Sequence, residues 1–223
     1  MSLLPCVEVP AQQPATASVV WMHGLGADGH DFEPIVPHLR LPHVRFVFPN
    51  APAIPVTING GFVMPAWYDI RSLDLDPGNS SREDPNQIRG STRAITAILD
   101  REIQRGVPAH RIVLAGFSQG GAMALHIAPR FAHTLAGFMV LSAYELLRGT
   151  LAEEQHAANA ATPALFCHGR HDPMVPMFAG QAACESVRQP ARDVRWYDFP
   201  IGHEVSLPEI QTISAWLHER LPA

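Results

Sequence analysis

Ser118 lies in Gly116-Phe117-Ser118-Gln119-Gly120-Gly121, with glycine two residues before it and again two and three residues after it. A serine so flanked suits a tight strand-to-helix turn that lifts its hydroxyl above a sheet, the glycines letting the two backbones pass closely. A serine hydroxyl is a weak nucleophile until a base takes its proton, so the turn implies a histidine and a carboxylate to orient it. In folds built on this turn the order along the chain is serine, acid, histidine, each after a later strand. Asp172 in His168-Gly169-Arg170-His171-Asp172-Pro173 and His203 in Pro200-Ile201-Gly202-His203-Glu204 fit that order. The chemistry they would perform is acyl transfer through a serine ester. It also needs two backbone N–H groups for the oxyanion. Gln119, after the serine, supplies one expected donor. Leu25, within the glycine-rich run 23–29, supplies the other.

Competing side chains are less suitably placed. Asp193 lies at the wrong end of its expected strand and Asp198 lies inside it, so both read as solvated or capping carboxylates. His168 and His171 flank the acid on its own loop and read as structural. His30, His38, His43, His110, His126, His133, His156 and His218 fall on helices or turns and are expected to be solvated. Neither HExxH nor a Cys/His ligand spacing occurs, so no metal site is expected.

The elements that must hold these residues follow from periodicity. Short runs rich in β-branched residues at 19–23, 44–48, 112–115, 137–141, 164–167 and 194–199 read as strands. Several are apolar on successive residues, as strands buried on both faces should be. Between them lie helical patterns. The clearest follows Asp84-Pro85, where Ile88, Ile95, Leu99 and Ile103 recur at helical spacing until Gly106. Others are expected at 122–128, 178–187 and 210–221. The alternation predicts an α/β fold with a mostly parallel central sheet, helices on both faces, and one domain over 1–223. Ser118, Asp172 and His203 then all stand at strand carboxyl ends, where such sheets place their ligands.

One segment breaks the rhythm. Residues 49–82 hold five of the 21 prolines, paired glycines, and Ile54, Ile58, Phe62, Val63, Met64 and Trp67. So long a connection usually has its own job. It reads equally as a wall or flap over a pocket and as a loop packed down on a satellite core.

Composition narrows the function classes. Apolar residues make up 47% and charged residues 17%, which suits a globular enzyme. A net charge of −5 gives no footprint for nucleic acid. All 16 basic side chains are arginine, which excludes Schiff-base lysine chemistry and a Walker A loop. Cys6, Cys167 and Cys184 form no framework spacing, as expected in a reducing compartment. Residues 1–14 carry no positive charge and have two prolines before residue 11, unlike a secretion signal. No apolar run approaches bilayer-spanning length, so no membrane insertion is expected. A cytoplasmic monomer or homodimer is the expectation.

Taken together, His23-Gly24-Leu25-Gly26 through Asp31-Phe32, Trp67-Tyr68-Asp69, the 116–121 turn, the stretch from His168 to Pro176, and His203 resemble one family. It is the small carboxylesterase and acyl-protein thioesterase (phospholipase/carboxylesterase) family of the α/β-hydrolases. The resemblance runs over nearly the whole chain. It implies the α/β-hydrolase fold without a large cap domain, the same three side chains and oxyanion donors, and no cofactor. It also implies hydrolysis of short- to medium-chain carboxylic esters or thioesters, borne by small molecules or by acylated protein. It places Leu25, Ile70, Tyr144 and Met174 near an acyl pocket. The family often reads Ser-x-aromatic-Leu-Pro after the strand ending at residue 141, whereas this chain has Ser142-Ala143-Tyr144-Glu145-Leu146. That departure bears on acyl-chain preference. A serine peptidase on the same fold is a second reading, but such relatives usually carry a large cap or propeller, and residues 142–163 leave no room for one. A non-catalytic binding protein that keeps the fold is a third, though such proteins usually lose one of the three side chains.

Overall fold

The computed structural model describes residues 3–72, 74 and 82–223. Its strands are β1 (Cys6–Val9), β2 (Ala17–Met22), β3 (Val44–Pro49), β4 (Ala53–Val56), β5 (Phe62–Pro65), β6 (Ile112–Phe117), β7 (Gly137–Leu141), β8 (Ala164–Gly169) and β9 (Val194–Phe199). Its α-helices are α1 (Val36–Leu39), α2 (Pro85–Gln104), α3 (Gln119–Ile127), α4 (Leu151–Glu154), α5 (Met177–Ser186) and α6 (Leu207–Arg220). Seven strands form one sheet in the order β1-β3-β2-β6-β7-β8-β9. All its pairings are parallel except β1 with β3.

The apolar strands are buried on both faces, as their composition predicts. Along β2, Val20 and Met22 join one core cluster while Ala17, Val19 and Trp21 join the other. The first cluster takes Ile88, Ile95, Ile98 and Leu99 of α2, Ala122, Met123, Ala124, Leu125 and Ile127 of α3, and Ala179, Ala183 and Cys184 of α5. The second takes Leu39 of α1 and Ile213, Trp216 and Leu217 of α6. No large cap stands above the sheet: between β7 and β8 the chain makes only α4 and short turns.

Two features were not read from the sequence. β1 is a four-residue edge strand bounded by Pro5 and Pro10, too short to show a period. β4 and β5 pair as an antiparallel hairpin inside the 49–82 segment, with Val56 opposite Phe62. Part of that segment packs down on the core, as one of its two readings expects. Ala66, Trp67, Tyr68 and Ile70 are buried in the main core, while Phe62 and Val63 at the hairpin tip are 69% and 59% exposed. Asp69 fastens the hairpin turn, one oxygen accepting from the Thr57 N–H and the other from its hydroxyl, both at 2.7 Å. Residues 73 and 75–81 of the segment lie outside the described residues.

At the start of α6, Ser206 caps the helix by accepting from the Glu209 N–H. The Glu209 carboxyl is fully buried, and neither oxygen finds a hydrogen-bond partner among the described residues. Burial pushes its pKa up to about 8. The unfolded carboxyl titrates near 4.3, so the unfolded chain releases this proton first and stability should fall as pH rises from there through about 8. Glu209→Gln, neutral throughout, is expected to flatten that fall. Urea unfolding of both proteins at pH 5 and pH 8.5 checks it; an unchanged difference between the two pH values would mean Glu209 ionises freely in the folded protein.

Candidate active site

Ser118 occupies the turn between β6 and α3 at φ 54°, ψ −119°, a left-handed conformation uncommon for a residue with a side chain. Such strain costs on the order of 1–3 kcal/mol and persists only where the surroundings over-determine it. Here they do. The Ser118 N–H donates to the Leu141 carbonyl at 2.8 Å. A Cβ on Gly116 would sit 2.1 Å from the Gly120 carbonyl oxygen, and one on Gly120 would sit 2.4 Å from that of Met22. Only glycine lets strand, turn and helix approach so closely. The helix begins at Gln119, three residues earlier than the sequence reading of 122, because glycines mask the apolar period there.

Parallel pairing carries the other two side chains to the same edge. Gly169 at the end of β8 lies opposite Phe199 at the end of β9. A Cβ on Gly169 would meet the Gly202 carbonyl at 2.1 Å, so the two following loops pack backbone to backbone. Across that contact His203 Nδ1 lies 2.7 Å from Asp172 Oδ2, and His203 Nε2 lies 2.8 Å from Ser118 Oγ. Asp172 accepts two further hydrogen bonds at Oδ1, from the N–H groups of Met174 and Val175, both 2.8 Å. Burial pushes the Asp172 pKa up. The bonds from His203 and Val175, the His203 charge and the Met174 N–H outweigh that, so it sits below the ordinary carboxylate range. An ionised Asp172 therefore accepts the Nδ1 proton and leaves Nε2 free to take one from Ser118. The His203 ring rests against Phe117, with centroids 4.8 Å apart.

Among the described residues, none of the competing histidines and carboxylates is hydrogen-bonded to Ser118 Oγ. His168 is buried, with Nε2 2.8 Å from the Val175 carbonyl and its ring stacked on Trp196. His171 is exposed on the same loop. Asp193 pairs with Arg195 and Asp198 with Arg170. Two histidines expected in solvent are instead buried. His43 Nε2 lies 2.9 Å from the Leu221 carbonyl, and His126 packs inside the last turn of α3. Both sit where a polar position on a short helix or turn faces a neighbouring element, which single-sequence periodicity does not reveal.

The loop after β2 contains the residue that sequence reasoning missed. His23 is buried; its Nε2 accepts from the Ala51 N–H at 3.1 Å, which leaves Nδ1 as the donor to the Gly24 carbonyl at 2.7 Å. That bond fixes the Gly24–Leu25 peptide plane, and with it the direction of the Leu25 N–H. Trp67 Nε1 reinforces the loop by donating to the His23 carbonyl. The Gly26 N–H already donates to Pro65 and the Ala27 N–H to Gly24. The signal was present in the buried-type histidine before the glycines, but its partners lie 28 and 44 residues away.

The Gln119 side chain does not face the serine. It is buried, with Oε1 accepting from the Trp67 N–H at 2.8 Å and Nε2 donating to the Tyr68 carbonyl at 2.7 Å. Gln119→Ala is expected to leave two buried backbone groups unpaired and to lower stability by roughly 2–4 kcal/mol. The Gln119 N–H stays in place, so the rate should fall by less than the 10²- to 10³-fold typical of a deleted oxyanion donor. Thermal melting with kcat on one ester separates the two effects; a ruinous rate loss with an unchanged melt would make the side-chain amide itself catalytic.

Of the residues expected around an acyl pocket, Ile70 and Tyr144 are buried in the main core and Leu25 packs against it. The Tyr144 hydroxyl lies 2.7 Å from that of Tyr68, and the Arg82 guanidinium stands 3.8 Å over its ring. Met174 is 53% exposed beside Asp172. Among the described residues no cluster of His, Cys, Asp or Glu is placed to hold a metal ion, and no helix is long and apolar enough to cross a membrane.

A family model described as Phospholipase/Carboxylesterase matches residues 5–221. Acyl-protein thioesterase 1 of Gibberella zeae is 37% identical over 96% of this chain and 94% of its own length. Acyl-protein thioesterase 1 of Neurospora crassa is 38% identical over 98% and 92%. Among solved structures, Arabidopsis thaliana SOBER1 superposes with a TM-score of 0.85 at 31% identity, covering 92% of this chain and 99% of that one. Zea mays acyl-protein thioesterase 2 gives 0.86 at 27% identity, covering 98% and 99%.

Proposed function

The chain belongs to the phospholipase/carboxylesterase family of α/β-hydrolases, and from that membership we propose that Ser118 is the nucleophile of an acyl-enzyme mechanism. As a member it is a hydrolase of esters or thioesters. The observation that carries the proposal is the unbroken chain from Ser118 Oγ through His203 to the buried Asp172, at 2.8 and 2.7 Å.

In the first half-reaction Ser118 Oγ attacks the acyl carbon as His203 Nε2 takes its proton. Negative charge gathers on the former carbonyl oxygen, toward which the N–H groups of Leu25 and Gln119 are assigned. His203 then gives the proton to the departing alcohol or thiol, leaving the acyl group on Ser118. Water, deprotonated by the same nitrogen, attacks that ester and restores the serine. Asp172 stays ionised throughout and stabilises the imidazolium. No metal or cofactor enters any step. We further assign short- to medium-chain substrates borne by small molecules or by acylated protein, with the 1–223 chain acting as one domain. The absence of a large cap supports bulky leaving groups.

A fluorophosphonate probe tests the nucleophile directly. Digestion and peptide mass spectrometry should find one equivalent of adduct, on Ser118, and an adduct on another serine would overturn the assignment. A chain-length series of p-nitrophenyl esters run beside matched acyl-cysteine substrates then ranks ester against thioester.

A further inference from the structure

At the end of α3 remote from Ser118 lies a cavity of about 230 Å³, lined by Arg89, Thr92, Arg93, His126, Arg130, Leu147 and Glu154. Helical rise alone puts His126 about 12 Å from the nucleophile along α3. Arg89 and Arg93 stand one turn apart on α2, both exposed, and neither has an ion-pair partner among the described residues. Two like charges at that spacing repel, which destabilises the helix unless a counter-charge is supplied. Arg130 adds a third guanidinium but is engaged: Nε donates to Glu154, Nη1 to the His126 carbonyl and Nη2 to Thr150. Glu154 is the one carboxylate in the lining, and Arg130 holds it. His126 is 5% exposed, and its Nδ1 is a buried polar atom with no hydrogen-bond partner.

We propose that this cavity binds a small phosphate-type dianion, held by Arg89 and Arg93 and backed by Arg130 and His126. Arg89 and Arg93 present free guanidinium forks, whose donor geometry matches tetrahedral oxyanions. The walls leave net positive charge in a concave site, in a protein whose overall charge is −5. Leu147, held at φ 47°, supplies an apolar side that an esterified phosphate would contact and inorganic phosphate would not.

His126 provides an internal reporter. Burial, then the Arg130 charge, hold its pKa down to about 4; Glu154 raises it and Arg89 lowers it further. A bound dianion stabilises the imidazolium, so it should raise the His126 pKa, and reciprocally bind more tightly as pH falls toward that value.

The test is calorimetric titration of the full chain with inorganic phosphate at constant ionic strength, with chloride as control. Saturable phosphate binding is expected, weakened about tenfold or more by the double variant Arg89→Gln, Arg93→Gln. The double variant should melt no lower than wild type and keep its esterase rate, since it relieves the repulsion on α2 and neither arginine belongs to the serine site. Sulfate, which stays dianionic, serves for a pH series read on the His126 ring protons by NMR. Tighter binding of phenyl phosphate than of inorganic phosphate would assign the site to phosphate esters, and equal binding to free phosphate. The proposal is overturned by binding no stronger than chloride's, by a double variant that binds as well as wild type, or by a His126 titration that sulfate does not move.

Discussion

Ser118→Ala is expected to fold normally and to hydrolyse its best ester roughly 10⁴- to 10⁶-fold more slowly than wild type. The size follows from how the three side chains act as a unit: once Oγ is gone, His203 has no proton to accept and no acyl-enzyme forms. What remains is the rate supported by binding and by the oxyanion donors with water as the attacker. The fold should tolerate the change because alanine adds nothing to the turn. The strained φ of 54° is carried by the Ser118 N–H bond to Leu141 and by the flanking glycines, neither of which needs the hydroxyl. Initial rates on p-nitrophenyl esters beside a circular dichroism melt decide it. Activity within about tenfold of wild type would remove Ser118 from the mechanism.

The second large effect concerns the base and its orienter. His203→Ala should match the Ser118 loss, because no other imidazole lies within hydrogen-bond reach of Oγ among the described residues. Asp172→Asn should lower kcat by about 10⁴. An asparagine that turns its NH₂ toward Nδ1 forces the proton onto Nε2, so the ring can no longer act as base. The variant also loses a carboxylate that the fold holds in its charged form. His171→Ala, on an exposed loop side chain, should be nearly silent. His168→Ala should lower stability instead, since it removes the bond to the Val175 carbonyl and the packing on Trp196. The contrast is therefore between a rate effect without a melt effect at His203 and the reverse at His168. Interchanged outcomes would move the base to the acid's own loop.

Much of the fold was legible in the sequence, for a local reason. β6, β7, β8 and β9 are apolar or β-branched runs whose period needs no partner to be seen, and α2 declares itself through Asp84, Pro85 and its isoleucines. Ser118, Asp172 and His203 were legible because each follows a strand, and a parallel sheet carries every strand's carboxyl end to one edge. The chemistry thus depended on order along the chain rather than on distance. What the sequence could not contain is which side chains meet across that edge. The tautomer of His23 depends on the Ala51 N–H, and the role of the Gln119 amide depends on Trp67 and Tyr68, 52 and 51 residues away. His43 and His126 read as solvated because burial is decided by the neighbouring element, not by the residue's own helix or turn. The hairpin of β4 and β5 stayed hidden among prolines and glycines, whose turn chemistry resembles that of a loop until pairing supplies the second strand. Periodicity and motif order are properties of one chain segment at a time, whereas hydrogen-bond partners and burial are properties of pairs that only folding brings together.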